Sequence, residues 1–191
     1  MADNENKLCE KGLFGGAITC FLPVHCIDAS TIREVADHQE VFCHKESDQS
    51  IIIDILEYQE QAKGEEGPRY HFLDIAEANE ALSTSNIALI EQIPKDYISL
   101  SESQEAWYLN GTQTVSKFNE EAGNIIQVYL ALFRLPQFGT DLVITMNNPV
   151  QLSTQSSSYQ QGNCETNELW TENTFKYIVN SIKILDTGLF G

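Results

Sequence analysis

Basic residues are scarce in this chain of 191 residues. It contains 11 Lys and Arg against 28 Asp and Glu, which gives a formal net charge of −17. Nucleic acids and anionic membrane surfaces bind clustered Lys and Arg, so they repel a chain of this composition. We therefore expect no nucleic-acid partner, and membrane association only through another protein. A basic protein surface or a cation fits the charge better, and the alternative is that the acids only keep the protein soluble.

Export and membrane-spanning signals are also missing. The apolar runs are far shorter than the roughly 20 residues that cross a bilayer. The acidic first stretch, MADNENKLCEKG, resembles neither a secretory leader nor an organelle transit peptide. With 42% hydrophobic residues, the chain has the composition of one globular domain. We expect a flexible leader over residues 1–12, a single domain over residues 13–191, and a protein of the cytoplasm and nucleus.

The motifs of common enzyme and metal classes are absent. There is no C-x-x-C, no G-x-S-x-G and no glycine-rich phosphate loop, and the five cysteines are expected to be reduced thiols. Soft metal ligands are available at Cys20, His25, Cys26, Cys43 and His44. Their spacing is not that of a zinc site, and adjacent residues of a strand point to opposite faces. We expect no catalytic group, cofactor or metal, and the alternative is a Cys/His metal protein.

Hydrophobic periodicity predicts an α+β domain with a mostly antiparallel sheet and helices on its faces. Strands are predicted at residues 13–23, 40–44, 50–56, 86–93, 96–100, 124–135 and 141–147, the last two joined by a turn at 136–140. Asn110-Gly111 predicts the turn of a further hairpin. Helices are predicted at 70–82 and towards the C-terminus, where Asn163 would cap a helix that buries Phe175, Ile178 and Val179. The Ser- and Gln-rich residues 151–163 are expected to form a flexible surface loop.

One predicted strand, within SIIIDILEYQE, carries an acid among isoleucines. Alternation places Asp54 on one face with Ile52 and Leu56, so this face is the less buried one or lies at a sheet margin. Glu57, three positions later, would point the opposite way unless the strand ends or bends near Leu56. One interpretation is structural: Asp54 accepts a hydrogen bond from a neighbouring loop and Glu57 is solvated. The other is that both acids await a basic partner.

Several longer strings together resemble a known family. They are GLFGGAI, IDASTIREVADHQEVFCH, DQSIIIDILE, QEAW, ALFRLPQFGTDLVITMNNP and DTGLF, in this order over nearly the whole chain. They resemble the Ran guanine nucleotide release factor family, the Mog-type nuclear-transport proteins, and EVFCH, RYHF and QEAW look more like its animal branch. The resemblance implies a three-layer α/β/α sandwich on a largely antiparallel sheet, similar to the PsbP proteins.

The same resemblance implies a function. Members of the family bind the small GTPase Ran through an acidic patch and promote loss of its bound nucleotide, by binding and not by enzymatic chemistry. The patch maps here to Asp54 and Glu57. A neighbouring segment adds a second set of candidate residues: Asp28, Arg33, Asp37 and Glu40. A monomer is expected, and the alternative role that the resemblance implies is an adaptor in the trafficking of a voltage-gated sodium channel.

Overall fold

The computed structural model describes residues 7–115, 123–151 and 169–191. Within these ranges the chain forms ten strands and two α-helices. The strands are β1 (Leu8–Leu13), β2 (Ile18–Pro23), β3 (Ile27–Asp28), β4 (Gln39–Cys43), β5 (Ser50–Glu57), β6 (Asn86–Ile93), β7 (Glu105–Val115), β8 (Asn124–Leu135), β9 (Thr140–Gln151) and β10 (Lys183–Ile184). The helices are α1 (Glu66–Ala78) and α2 (Glu172–Ser181). No helix of this part of the chain is long and apolar enough to cross a membrane.

Seven strands form one antiparallel sheet in the order β3-β4-β5-β9-β8-β7-β6. On one face, Phe72 of α1 packs into a cluster with Leu109, Leu132 and Val143. On the other face, α2 and the strands β1 and β2 bury a larger cluster around Phe175. The strands β1, β2 and β10 form a small second sheet within this outer layer. The predicted three-layer α+β architecture is therefore confirmed, with a small sheet added beside α2.

The isoleucine-rich strand β5 lies inside the large sheet, between β4 and β9. Ile51 and Ile53 are completely buried, whereas Ile52, Asp54 and Leu56 on the other face are half-buried. The predicted difference between the two faces is confirmed, and the alternative of a strand at the sheet margin is wrong. Branched side chains that are stiff at χ1 suit such a doubly covered strand. The predicted hairpin of β8 and β9 is also confirmed, and its turn is a 3₁₀ segment at Pro136–Phe138.

The predicted hairpin turn at Asn110-Gly111 is wrong. Both residues lie inside the continuous strand β7, paired with β8 on one side and β6 on the other. A Cβ atom on Gly111 would lie 2.7 Å from the Cζ atom of Phe72, far inside van der Waals contact. The glycine therefore makes room for the aromatic ring of α1, and tertiary packing overrides the local turn signal.

The predicted leader over residues 1–12 is wrong for residues 8–12, which lie in β1. Residues 1–6 lie outside the described ranges. The predicted single strand over 13–23 is shorter, because only residues 18–23 form β2. Residue 13 ends β1, which pairs with β2 across a 3₁₀ turn at Phe14–Gly16. Gly15 has a φ of +69°, a conformation that glycine adopts without strain. The sequence LCEKGL lacks a clear alternation of apolar and polar residues, so hydrophobic periodicity did not predict this strand.

The helix boundaries differ from the predictions. Helix α1 begins at Glu66 instead of residue 70 and ends at Ala78, before the predicted end. Helix α2 is capped by Thr171, whose hydroxyl accepts a hydrogen bond from the Thr174 amide at 3.2 Å, and not by Asn163. Its predicted buried residues are confirmed. The predicted strand at 96–100 is wrong, because residues 95–97 form a 3₁₀ turn and residues 98–100 belong to no strand. The predicted loop at 151–163 lies outside the described residues, except for Gln151.

Candidate partner-binding site at one end of the sheet

One end of the large sheet gathers the segments that carry the candidate residues. Strand β5 ends here at Glu57, opposite Thr140, where β9 begins. Strand β4 also begins here, because Gln39 pairs with Asp54. The loop of residues 29–38 leads into β4, and the 3₁₀ turn at Pro136–Phe138 leads into β9. We call this edge the Glu57 end of the sheet.

Two further segments lie at the Glu57 end. The turn between β1 and β2 is fixed there, because the Phe14 amide donates a hydrogen bond of 2.6 Å to Glu40 Oε1. After β10, two successive backbone amides donate to the carbonyl oxygen of Ala17 at 2.8 and 3.1 Å. The ring of Phe190 then stacks on Phe138 with a centroid distance of 4.9 Å. The strings that carry the family resemblance are therefore scattered in sequence and meet in space.

Asp54 is half-buried on the face of β5 that α1 covers. Its Oδ1 atom accepts a hydrogen bond of 2.7 Å from Gln39 Nε2 on the adjacent strand. Burial raises the pKa of the Asp54 carboxyl, although this hydrogen bond opposes the rise. Asp54 therefore has an internal partner, as the structural interpretation expected, but this partner lies on the adjacent strand and not on a loop. Asp54 also keeps access to solvent.

Glu57 is exposed as the last residue of β5. The ladder with β9 runs without interruption from Ser50 to Glu57, so no bulge reorients either acid. Because side chains alternate along a regular strand, Asp54 and Glu57 project from opposite faces. The structure thus places both at one end of the sheet but does not bring them together on one face. The Tyr58 amide donates to the Gly139 carbonyl oxygen at 2.9 Å, which fixes the chain directly after Glu57.

Asp28 holds the loop of residues 29–38 in shape. Its Oδ1 atom accepts hydrogen bonds from the Ser30 amide at 3.0 Å and from the Ser30 hydroxyl at 2.6 Å. Its Oδ2 atom lies 3.8 Å from Lys11 Nζ. The hydrogen bond from Ser30 is the main reason that the pKa of the Asp28 carboxyl is lowered. Asp28 and Glu40 are therefore engaged with their own chain, whereas Arg33 and Asp37 are exposed.

A buried ionic network supports this end and was missed by sequence reasoning. Arg134 and Asp141 form a cross-strand pair, with 2.7 Å between Nε and Oδ1, and their exposed fractions are 1% and 0%. Asp141 Oδ2 also lies 2.9 Å from His71 Nε2 of α1. Arg134 donates to the carbonyl oxygens of Gln59 and Ala62. The network ties α1 and the chain after Glu57 to the sheet. The sequence pattern that could have indicated it is a single charged residue in each of two apolar strands.

The candidate metal ligands do not assemble. Among the described residues, no group of three or more His, Cys, Asp and Glu side chains could hold a metal ion. Burial raises the pKa of the Cys20 thiol to about 12 and also raises that of Cys26. Both thiols are therefore protonated at neutral pH, and a protonated thiol is neither a good nucleophile nor a good metal ligand.

Comparison with known proteins assigns the family. A family model described as "Ran-interacting Mog1 protein" matches residues 11–149. The chain belongs to the Mog1 family. A relative from Danio rerio, named Ran guanine nucleotide release factor, is 46% identical over 181 residues, which cover 94% of this chain and 98% of the relative.

Solved structures agree with this assignment. The crystal structure of the Saccharomyces cerevisiae Ran-binding protein Mog1p superposes with a TM-score of 0.72 at 27% identity, covering 97% of this chain and 100% of that protein. A cyanobacterial PsbP from Synechocystis has a TM-score of 0.52 at 11% identity, over 76% of this chain and 82% of that chain, which shows a shared fold alone. Both the Mog-type identification and the PsbP-like fold are confirmed. The identity to the fish relative, 46%, exceeds the 27% identity to the yeast protein, which agrees with the animal-like branch.

Proposed function

We propose that this protein binds the small GTPase Ran through the Glu57 end of its sheet and promotes release of the bound guanine nucleotide. Membership of the Mog1 family supports the partner, and the name of the Danio rerio relative supports the activity. The observation that carries the site is that Glu57 is exposed at the end of a strand held between two others. The protein would act by binding, without chemistry of its own, in nuclear transport between nucleus and cytoplasm.

The rigidity of the site supports this role. Glu57 ends a strand that is paired along its length with β9, and the next amide, of Tyr58, is bonded to Gly139. Behind it, Arg134 is bonded to the carbonyl oxygen of Gln59 at 2.8 Å and holds the following segment in place. The backbone that carries Glu57 is therefore already ordered before a partner binds, so less backbone freedom is lost on association.

The candidate residues divide into two groups by their contacts. Glu57, Asp37 and Arg33 are exposed, and we assign them to the direct contact. Asp28 and Glu40 hold the loop and the adjacent hairpin turn, and we assign them to positioning. Asp54 combines the two, because it is half-buried, bonded to Gln39 and still partly exposed.

Negative charge at this surface can loosen a nucleotide in a physically simple way. A GTPase of this class holds its nucleotide phosphates with a phosphate-loop Lys and with Mg²⁺. A partner carboxylate that engages such basic groups, or that competes for the metal, weakens nucleotide binding. The coupling is reciprocal, typically about 1–3 kcal/mol, so bound nucleotide weakens the affinity of Ran for this protein by the same factor.

A nucleotide-release assay tests the proposal. Ran is loaded with labelled GTP and, separately, with labelled GDP, and release is followed with and without this protein. We expect the wild type to accelerate release and Glu57→Lys to lose both release and binding, because the charge at the contact is reversed. The matched control is Glu77→Lys, an equal charge change at an exposed position on α1. Glu57→Lys that is folded and as active as the wild type would contradict the assignment of the site.

The sodium-channel role implied by the resemblance stays a prediction. A pull-down with purified cytoplasmic loops of the channel, run beside Ran, tests it directly. Capture of Ran but of no channel loop would exclude an adaptor role that needs direct binding.

A further inference from the structure

The loop at the Glu57 end carries an isoleucine whose side chain is largely exposed to solvent. Ile32 is 72% exposed, more than any other large apolar side chain in the described part of the chain. Isoleucine is among the residue types most often found fully buried. The side chain projects from the loop of residues 29–38, which leads into β4 beside Asp54.

The loop holds Ile32 in a fixed position. Its amide donates a hydrogen bond of 2.9 Å to the Ala29 carbonyl oxygen, and the Arg33 amide donates to the same oxygen at 2.9 Å. The preceding turn is bonded to Asp28 through the Ser30 amide and hydroxyl. The backbone angles of Ile32, φ −116° and ψ −38°, carry no strain. An apolar side chain on such a braced turn can enter a pocket with little loss of backbone freedom.

The loop that carries Ile32 is charged and exposed. Arg33, Glu34 and Asp37 lie on this loop, which leads into β4 at the same end of the sheet as Glu57. Three of these four side chains are acidic. An apolar anchor within a rim of charged groups is the arrangement of protein–protein contacts, in which the buried centre supplies most of the affinity and the rim selects the partner. The complementary surface is basic and carries one apolar pocket.

We infer that Ile32 is the apolar anchor of the contact with the GTPase, inserted into a pocket of a basic surface whose charges meet Glu57 and Asp37. This inference rests on the proposed function, and it adds a residue that the acidic pattern does not contain. Asp28 then has a defined part in binding: it positions the turn that presents Ile32.

Binding to purified Ran, measured by calorimetry at low and at moderate salt, tests the anchor. We expect Ile32→Ser to weaken the affinity about ten- to a hundredfold, the loss that corresponds to leaving one aliphatic side chain unburied. This loss should be nearly independent of salt, whereas the loss from Glu57→Lys should shrink as salt rises. Ile32→Leu keeps the apolar volume and should bind within about threefold of the wild type.

The matched control is Val150→Ser. Val150 is also β-branched and 56% exposed, but it lies at the far end of β9 from Thr140. This variant should bind like the wild type, and melting curves should show that all variants are folded. If Glu57→Lys weakens binding and Ile32→Ser does not, the anchor is overturned while the proposed function stands. If both variants bind like the wild type, the anchor and the proposed site are both overturned. If the wild type does not bind Ran, the proposed function itself fails and the anchor with it.

Discussion

The Asp141 carboxylate makes three internal contacts, so Asp141→Asn tests how far the ionic network stabilises the fold. Its oxygens lie 2.7 Å from Arg134 Nε, 2.9 Å from His71 Nε2 and 3.2 Å from the Gln59 amide nitrogen. Asparagine keeps the shape but removes the charge. Arg134, with 1% of its side chain exposed, would then be a buried cation without a counter-ion.

The size of the effect follows from what Arg134 retains. Breaking a buried ion pair by removing one partner destabilises a protein by about 3–5 kcal/mol. Arg134 keeps its hydrogen bonds to the carbonyl oxygens of Gln59 and Ala62 and its position 4.2 Å from the centre of the Tyr58 ring. These contacts partly compensate the cation, so we expect the lower limit, about 3 kcal/mol. For a domain of this size that corresponds to a melting temperature lowered by about 6–12 °C.

Urea unfolding at neutral pH, followed by circular dichroism, measures this free energy. Asp74→Asn provides the control, because Asp74 lies on the exposed side of the same helix as His71 and should change the stability by less than about 0.5 kcal/mol. A loss below about 1 kcal/mol for Asp141→Asn would refute the reasoning, since the buried cation would then need no counter-ion.

Two further predictions concern single residues. Burial raises the pKa of Asp54 in the folded state, so the folded protein binds the extra proton and the unfolding free energy falls as pH rises from the ordinary carboxyl pKa to the raised one. In Asp54→Asn, the unfolding free energy measured by urea unfolding should fall less over that pH range than in the wild type. The same pH dependence in both proteins would contradict this prediction. Gly111→Ala should destabilise the fold by about 1–3 kcal/mol, because the added carbon would lie 2.7 Å from Phe72 Cζ and 2.8 Å from the Asn86 carbonyl oxygen. Urea unfolding against Gly139→Ala, where nothing lies within 4 Å of a Cβ but φ is +58°, separates crowding from backbone strain.

The parts of the fold that could be predicted are those with strong periodicity. Long apolar strands joined by a Pro- and Gly-containing turn, as in β8 and β9, leave little choice of structure. The parts that failed depend on contacts that are remote in sequence. The local sequence at Gly111 is typical of a turn, and only the packing of Phe72 of α1 explains the glycine within a strand. Similarly, β1 forms a strand because it pairs with β2.

The candidate site divides along the same line. The alternation of β5 predicts that Asp54 shares the less buried face, and it also predicts that Glu57 points away from it. No pattern in the sequence distinguishes a carboxylate bonded to its own chain, such as Glu40, from an exposed one, such as Asp37. These roles depend on hydrogen bonds between segments that are remote in sequence, so local patterns do not reveal them. Ile32 was missed for a related reason, since a single apolar residue in a polar loop has no period.

The Glu57 end is assembled from five stretches: the turn after β1, the loop before β4, the end of β5, the turn before β9 and the chain after β10. A synthetic peptide copied from any one of them would lack the spacing that the others impose. An inhibitor that imitates this surface must therefore reproduce its shape in three dimensions, and an antibody raised against the native surface would lose its epitope on a denaturing blot.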